Sequence, residues 1–367
     1  MEITAAVAHK PNGEFTLETL NLDAPRASEV LVEIKSVGIC HTDLATRDGS
    51  IPFPMPAVLG HEGAGVVLEV GEDVSKVAAG DKVTLTYNYC GQCRNCRKGD
   101  TAYCYQFLPQ NCAGSRLDGT QQITASDGGP VGNRFFGQSS FASHALASEL
   151  NVVKLADDAP LDLVGPLGCG VQTGAGAVIN SMDADAGSTL LVVGGGSVGL
   201  SAVLGGVAQG CANIIVCEPH ERRRALALQM GATHAIDPAD GELGEQVKAI
   251  NSEGAHYIFD TTAIPAVVES TFTALAPHGT LGLVGVPVDP TASVNVSLFG
   301  ALVLGIKVLG IIEGDAAPDS FIPRMAELHA AGQFPFDKMI TKFPFSKINE
   351  AIEAQHEGEV VKAVLVH

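Results

Sequence analysis

A glycine-rich turn between an apolar run and a helix-like segment is the feature that most constrains this fold. Residues 192–200 read VVGGGSVGL and contain the pattern G-x-G-x-x-G at Gly194, Gly196 and Gly199. The first glycine permits a tight turn, the second lets the backbone approach a pyrophosphate, and the third lets a helix pack on a strand. The helix N-terminus then offers free N–H groups to phosphates. The pattern predicts a dinucleotide-binding unit; the alternative is a turn that only shapes a sheet.

An acidic residue follows this turn at the expected place. Glu218 comes directly after the apolar run 213–217, and the expected spacing from the last glycine is about 20 residues. Its carboxylate would accept hydrogen bonds from ribose hydroxyls and repel a 2′-phosphate. The neighbouring Arg222, Arg223 and Arg224 complicate the choice, because an arginine there can bind a 2′-phosphate. We expect them to form a solvated or adenosine-flanking face, so NAD is the predicted cofactor.

Two kinds of pattern divide the chain. The first 150 or so residues contain strand-length apolar runs separated by Gly, Pro and Asp, which predicts a β region. From about residue 174, apolar runs alternate with helix-length segments, which is typical of a doubly wound parallel sheet of the α/β class. The final apolar run, 360–366, is similar to the first region. The sequence predicts a β domain interrupted by an α/β domain, with parallel strands at 189–193, 213–217, 234–236, 256–259, 280–284 and 307–311.

Charge and composition exclude some classes of partner. The net charge is −19 and aromatic residues are only 5% of the chain, which disfavours nucleic acids and anionic membranes. The uncharged stretch 186–217 is long enough to mimic a membrane span, but its glycines favour a buried strand, turn and helix. No basic signal segment is evident at the N-terminus, so a cytoplasmic protein is expected.

Four of the nine cysteines are close together in the sequence, with spacings typical of a metal site. They are Cys90, Cys93, Cys96 and Cys104. Four thiolates complete a tetrahedral zinc site and leave no open position, which predicts a structural role in ordering residues 88–130. Arg94, Arg97 and Lys98 can offset the negative charge of such a site. An iron–sulfur cluster and a disulfide pair are the alternatives; the ferredoxin spacing does not match.

A second candidate metal set is dispersed along the chain. Cys40, His61 and Cys169 each lie within two residues of a glycine, where a bend can direct a side chain into a cleft. Two thiolates, one imidazole and a water form a known catalytic zinc set. Spacing alone does not distinguish this set from a buried thiol and a hydrogen-bonded core histidine.

The combination of these motifs resembles the zinc-dependent medium-chain alcohol dehydrogenases. The resemblance is carried by Cys40-His41-Thr42-Asp43, Gly60-His61-Glu62-Gly63, the four-cysteine lobe, Gly168-Cys169-Gly170 and the glycine-rich turn. It implies a GroES-like β-barrel catalytic domain (1–171 and 311–367) interrupted by a Rossmann NAD-binding domain (172–310). Residues 135–141 and 166–170 are similar to the aryl (benzyl) alcohol and geraniol dehydrogenase branch.

The resemblance also implies a role for each matching residue. Cys40, His61 and Cys169 would bind a catalytic zinc, with Glu62 behind the metal and Asp43 orienting the ring of His61. Thr42 would hydrogen-bond the substrate hydroxyl and accept its proton. The implied cofactor contacts are Thr173 and Val198 with the nicotinamide, His41 with the pyrophosphate, Arg223 with the adenosine ribose and Lys362 with a phosphate. Many relatives have an arginine in place of Lys362, and a relay histidine in place of Ala45.

The implied reaction is the reversible oxidation of a primary aromatic or allylic alcohol by NAD⁺, in a protein with two zinc ions. Alternatives are a general aliphatic alcohol dehydrogenase, a glutathione-dependent formaldehyde dehydrogenase and a cofactor-binding scaffold without catalysis. We expect a homodimer or homotetramer, with the apolar segment 303–312 at a subunit contact. Expected pocket walls are Phe53, Tyr87 and Leu117, whereas Cys112, Cys211 and Cys217 are expected to be buried thiols without an assigned role.

Overall fold

The computed structural model describes all residues from 1 to 367. Seventeen strands are present: β1 Glu2–Ala8, β2 Phe15–Leu22, β3 Glu29–Gly38, β4 Ala57–Val58, β5 Gly63–Val70, β6 Lys82–Leu85, β7 Ile123–Thr124, β8 His144–Ser148, β9 Val152–Lys154, β10 Thr189–Val193, β11 Asn213–Cys217, β12 His234–Ile236, β13 Ala255–Asp260, β14 Leu275–Leu283, β15 Lys307–Gly310, β16 Ile340–Pro344 and β17 Lys362–Val366. The α-helices are α1 His41–Arg47, α2 Phe107–Cys112, α3 Gly170–Gly176, α4 Ser197–Gln209, α5 Glu221–Gln229, α6 Leu243–Ile250, α7 Pro265–Thr271, α8 Leu298–Leu304, α9 Pro318–Ala330 and α10 Ile348–His356.

The chain forms two compact units. The first contains Met1–Cys169 and Ala317–His367, and the second contains Gly170–Ala316. Residues within each unit contact one another more than they contact the other unit. The domain boundaries at 171/172 and 310/311 stay a prediction from the sequence. No helix is long and apolar enough to cross a membrane.

The first unit is built from two β-sheets around one core. A four-stranded antiparallel sheet has the order β4-β1-β2-β7. A seven-stranded sheet has the order β16-β17-β3-β5-β6-β9, with β8 also paired to β3. Fully buried side chains from several strands and loops, among them Ile34, Leu59 and Phe141, join one apolar cluster. The C-terminal strand β17 pairs antiparallel with β3, so both ends of the sequence build this unit.

The second unit is a six-stranded parallel sheet with the order β12-β11-β10-β13-β14-β15. All five residues of β10 are buried, which explains why this strand reads as a continuous apolar run rather than an alternating one. The strand order changes direction between β10 and β13. Ligands of open α/β sheets bind beyond the carboxyl ends of the strands at such a point.

The α/β class and the two-part architecture are confirmed. Strands β10, β11 and β12 have the bounds predicted from the sequence. Strand β14 differs, because it begins at Leu275 and not near residue 280. Pro277 and Gly279 are typical of a turn, but the structure places them in the strand next to a register shift between Ala255 and Tyr257.

Candidate metal centres and nucleotide-binding turn

Four potential ligands from three separate chain segments come together in the first unit. The ligand atoms of Cys40, His61, Glu62 and Cys169 all lie within 4.8 Å of one another. Cys40 lies between β3 and α1, His61 and Glu62 lie between β4 and β5, and Cys169 follows the helical turn Gly165–Gly168. Zinc binds thiolate at about 2.3 Å and imidazole at about 2.0 Å, so one ion fits among atoms with these separations.

The buried carboxylate of Asp43 holds two of these residues in place. Its Oδ1 accepts hydrogen bonds from His61 Nδ1 at 2.8 Å and from the backbone N–H of Gly60 at 3.0 Å. Its Oδ2 accepts the backbone N–H of Cys40 at 2.9 Å. With Nδ1 engaged in this way, His61 Nε2 is buried without a hydrogen-bond partner. An unpartnered imidazole nitrogen beside thiols is the arrangement that a metal ion completes.

The protonation tendencies of the cluster also suit a cation. A hydrogen bond from Cys169, together with the charge of His61, lowers the pKa of the Cys40 thiol well below its usual value. Burial by itself lowers the pKa of His61, but Asp43 and Cys40 raise it well above its usual value. The thiolate of Cys40 is therefore favoured, as metal binding requires, whereas a metal ion would have to displace the proton that the raised pKa retains on His61.

Glu62 is paired with a buried lysine. The Nζ of Lys362 lies 2.5 Å from Glu62 Oε2 and donates to the carbonyl oxygen of Ile39 at 3.0 Å. Burial raises the pKa of Glu62, and the charge of Lys362 opposes that shift. The Lys362 side chain is 1% exposed and engaged with Glu62. The phosphate contact implied for Lys362 stays a prediction.

Helix α1 carries the residues predicted to handle the substrate proton. Thr42 is half-buried, and its Oγ1 lies 3.7 Å from Cys40 Sγ. One helical turn later, Ala45 is buried, so this helix face has no titratable group after Thr42. His41 is exposed at the start of the same helix.

Aromatic rings surround His61. The ring of Phe136 stacks on His61 with centroids 4.5 Å apart, and Phe135 meets it edge-on at 5.4 Å. Phe53 packs edge-on against Phe135, so it belongs to this cluster. Of the other two expected pocket walls, Tyr87 joins this cluster through Phe107, whose ring centroid lies 5.9 Å from that of Tyr87 and 6.1 Å from that of Phe136. The Tyr87 hydroxyl bonds Thr101 at 2.7 Å, and Leu117 is 58% exposed.

Phe136 is the contact that the sequence did not reveal. Two adjacent phenylalanines before a glycine were the available signal, but Phe136 reaches His61 through a left-handed backbone with φ 51°. Residues other than glycine rarely adopt that backbone conformation. In an extended chain, neighbouring side chains point to opposite faces, so both phenylalanine rings would not lie against one histidine.

The four-cysteine lobe is a second compact donor set. The sulfur atoms of Cys90, Cys93, Cys96 and Cys104 lie within 4.8 Å of one another. Backbone N–H groups point at the sulfurs, as in the bonds from Cys90 to Cys104 at 3.3 Å and from Cys93 to Cys90 at 3.4 Å. Such bonds favour thiolate, and those from Cys96 and Tyr105 lower the pKa of Cys93 to about 6. Burial acts in the opposite direction, raising the pKa of Cys96 to about 12 and also that of Cys104. All nine cysteines are free of disulfides, so the structure does not support the disulfide alternative.

The three remaining cysteines lie outside both donor sets. Cys217 is buried, whereas Cys112 and Cys211 are half-buried. Burial raises the pKa of both Cys112 and Cys217 to about 11. These thiols are therefore protonated at neutral pH.

The glycine-rich turn of the second unit has the geometry its sequence predicts. Gly194 has φ 99°, a backbone conformation that residues with a side chain rarely adopt. A Cβ on Gly199 would lie 1.9 Å from the carbonyl oxygen of Gly194, so helix α4 packs directly on the turn. A Cβ on Gly196 would meet nothing within 4 Å. The turn therefore packs tightly against α4 at Gly199 and leaves free space at Gly196, as a phosphate-binding turn requires.

Glu218 lies directly against this turn. Its Oε2 accepts the backbone N–H of Gly195 at 2.6 Å, and its Oε1 accepts that of His220 at 2.9 Å. Arg223 Nη1 is 4.0 Å from Glu218 Oε2, and its buried Nε has no hydrogen-bond partner. Arg224 is instead paired with Asp237 at 2.7 Å. Arg224 also donates to the Glu218 carbonyl oxygen at 2.7 Å, so Arg223 is the arginine that faces the Glu218 carboxylate, while Arg222 is exposed.

The two residues predicted to touch the nicotinamide lie on adjacent helices of the same unit. Thr173 is on α3 and Val198 is on α4. The helices approach so closely that a Cβ on Gly174 would lie 2.0 Å from the carbonyl oxygen of Val198. Thr173 Oγ1 bonds Glu313 Oε2 at 3.4 Å, which fixes its side chain.

Comparisons with known proteins agree with this geometry. A family model described as the alcohol dehydrogenase GroES-like domain matches residues 26–157, and one described as zinc-binding dehydrogenase matches residues 197–330. The chain is 49% identical to a geraniol dehydrogenase of Castellaniella defragrans, over 99% of this chain and 97% of that one.

Solved structures match over the full length. An alcohol dehydrogenase zinc-binding domain protein from Burkholderia ambifaria is 44% identical, with a TM-score of 0.98 over 100% of this chain and 99% of that one. A benzyl alcohol dehydrogenase from Acinetobacter calcoaceticus is 37% identical, with a TM-score of 0.96 over the same shares. Together with the two donor sets and the glycine-rich turn, these matches show that the chain belongs to the zinc-dependent medium-chain alcohol dehydrogenase family.

Proposed function

We propose that this alcohol dehydrogenase oxidises a primary aromatic or allylic alcohol to its aldehyde, with NAD⁺ as the hydride acceptor, and catalyses the reverse reduction. The observation that carries the substrate class is the aromatic cluster around His61, formed by Phe136, Phe135 and Phe53. Phe53 is half-buried whereas Phe135 and Phe136 are buried behind it, so Phe53 is the ring of this cluster that can meet a flat, conjugated substrate. The relatives named for geraniol and benzyl alcohol support the same class.

The chain's own residues have distinct tasks in this proposal. Cys40, His61 and Cys169 would hold a zinc ion, which would supply a Lewis acid able to lower the pKa of an alcohol hydroxyl. The hydroxyl of Thr42 accepts the alcohol proton, and Asp43 keeps the ring of His61 in one orientation. The carbinol C–H electron pair leaves as hydride to NAD⁺, so alcohol and NAD⁺ become aldehyde, NADH and a proton.

The preference for NAD and the structural zinc are parts of the same proposal. Glu218, 3% exposed at the glycine-rich turn, favours ribose hydroxyls over a 2′-phosphate. The four-cysteine lobe would bind the second zinc ion of each chain.

The defining experiment follows NADH absorbance with benzyl alcohol, geraniol or ethanol as substrate, in protein whose zinc content per chain has been measured. Turnover of the first two with little ethanol oxidation supports the proposal, and equal rates with NADP⁺ would contradict the cofactor preference. Ethanol activity alone indicates a general aliphatic enzyme. Formaldehyde oxidation that requires glutathione indicates the glutathione-dependent alternative. No turnover in protein with two zinc ions favours a non-catalytic scaffold.

A homo-oligomer is also proposed. Leu298, Phe299, Leu302 and Val303 on α8 are between 62% and 86% exposed. The next strand, β15, is the edge of the parallel sheet and offers unpaired backbone groups on its outer side. A second copy of the chain would cover both features, since a large exposed apolar patch marks a contact surface.

A further inference from the structure

A buried glutamine side chain joins the backbone segment that carries His61 and Glu62 to the carbonyl oxygen of Thr86. Gln138 is 1% exposed and lies just after the turn Phe135–Gly137. Its Nε2 donates to the carbonyl oxygens of His61 at 2.9 Å and Thr86 at 3.2 Å. Its Oε1 accepts the backbone N–H of Gly63 at 3.1 Å and the hydroxyl of Ser140 at 2.5 Å. One amide therefore holds the backbone on both sides of Glu62, at the carbonyl of His61 and the N–H of Gly63.

The contact with Thr86 extends this network to the third ligand. Thr86 Oγ1 is buried and donates to the carbonyl oxygen of Gly168 at 2.7 Å, immediately before Cys169. The Asn151 amide donates to the Thr86 carbonyl at 3.1 Å and to the Phe136 carbonyl at 3.2 Å. The segments that carry His61, Cys169 and the stacked ring of Phe136 are thus linked by side-chain hydrogen bonds.

The backbone around Gln138 needs such support. Arg134, Phe136 and Ser139 all have positive φ, at 59°, 51° and 55°. Conformations of this kind persist only where the surrounding structure holds them. The Ser139 hydroxyl accepts the N–H of Phe135 and donates to Val58, which attaches the segment to the strand before His61.

We infer that Gln138, acting with Thr86, is a positioning residue that fixes His61 and Cys169 at the spacing needed for the catalytic zinc. This inference rests on the proposed function, because it assumes a zinc ion at that site. Ligand-orienting partners beyond the metal's own ligands typically contribute about 10- to 100-fold to metal affinity.

The variant Gln138→Glu tests this role because it has nearly the same shape. A carboxylate still accepts from Gly63 and Ser140 but cannot donate to His61 and Thr86. We expect the catalytic zinc to be released to a chelator about 10- to 100-fold faster. Release from the four-cysteine lobe is expected to be unchanged, so the lobe is an internal control for general destabilisation. The variant Cys40→Ala identifies which release phase belongs to which site.

Matched variants test the network further. Thr86→Val removes the bond to Gly168 and is expected to accelerate the same phase, whereas Thr86→Ser retains the hydroxyl and should restore slow release. Asn349→Asp makes the equivalent amide-to-acid change at a residue that bonds both backbone groups of Phe15, and should alter neither phase. Equal acceleration of both phases, or of neither, in Gln138→Glu would overturn the inference.

A metal-free measurement keeps this test separate from the proposed function. If the wild-type protein retains zinc only in the lobe, the two-zinc proposal fails. Hydrogen–deuterium exchange of the metal-free protein then decides the positioning role. Faster exchange at 58–64 and 165–170 in Gln138→Glu, with the lobe unchanged, supports it. Unchanged exchange at both segments contradicts it.

Discussion

The chemistry of a site residue in this protein depends on the groups that the fold places beside it. Glu218 occupies the position expected of a ribose-binding acid, yet both of its oxygens already accept backbone N–H groups. This fixes the carboxylate at the glycine-rich turn without occupying every lone pair. Arg223 stands beside it with an unpartnered Nε, so the two groups favour opposite cofactors.

The variant Glu218→Gln is expected to shift cofactor preference toward NADP. Loss of the negative charge removes its repulsion of a 2′-phosphate and leaves the guanidinium of Arg223 available to bind it. We expect the ratio of kcat/KM for NADP⁺ to that for NAD⁺ to rise about 10- to 100-fold, equivalent to about 1.4–2.7 kcal/mol. Steady-state kinetics with both cofactors measure it. Adding Arg223→Ala should cancel the gain, and a gain that survives would show that Arg223 plays no part.

The variant at Ala45 tests how the substrate proton leaves Thr42 in the proposed reaction. The variant Ala45→His introduces a group with a pKa of about 6.5 one helical turn from Thr42, and should shift or steepen the pH dependence of kcat. The non-titrating variant Ala45→Gln is the control. Rates measured between about pH 5.5 and 10 decide the outcome. A profile unchanged by histidine would mean that the proton already has a competent exit.

At the scale of elements, the glycines of one turn have separable functions. Gly199 lets α4 pack on the turn, whereas Gly196 faces open space where a cofactor phosphate would lie. A methyl group therefore disturbs packing at one position and ligand approach at the other.

The pair Gly199→Ala and Gly196→Ala tests this division. At Gly199 the Cβ would lie 1.9 Å from a carbonyl oxygen, so we expect a loss of about 1–3 kcal/mol in the free energy of unfolding. At Gly196 the melting temperature should be nearly unchanged, while NADH binding weakens by about tenfold, or about 1.4 kcal/mol. Thermal unfolding and NADH titration measure both quantities. Equal NADH affinity in Gly196→Ala and wild type would exclude a phosphate contact there.

At the scale of the whole molecule, each unit buries its own core, but the second presents apolar side chains that its own fold leaves exposed. Four large apolar residues on α8 are exposed next to the sheet edge. Single exposed apolar residues are ordinary, whereas a contiguous group of this kind is typical of a contact surface.

The variant Leu302→Glu is expected to separate the proposed homo-oligomer into smaller species. Leu302 is 79% exposed in the single chain, so the change should not unfold it, but burying an unpaired carboxylate at a subunit contact is unfavourable. Size-exclusion chromatography with light scattering gives the mass. Leu108→Glu, at a 68% exposed leucine of α2, is the control. An unchanged mass for Leu302→Glu would place any subunit contact elsewhere.

The sequence by itself determined the local chemistry. The glycine-rich turn, the apolar strands β10–β12 and the short cysteine spacings depend on neighbours in the chain, so the parallel sheet, Glu218 at the turn and the lobe were all predictable. The residues alone singled out Cys40, His61 and Cys169 as a candidate metal set. Only the family resemblance favoured that set over a buried thiol and a core histidine, because no local period connects residues so far apart.

Only the tertiary structure decided which side chains support that chemistry. Phe136 stacks on His61, Lys362 pairs with Glu62, and Gln138 bonds two segments distant in sequence. Each contact joins residues separated by dozens to hundreds of positions, and two depend on the left-handed backbone near Phe136. Such contacts arise from how strands and loops pack against one another, which the order of residues along a single segment does not specify.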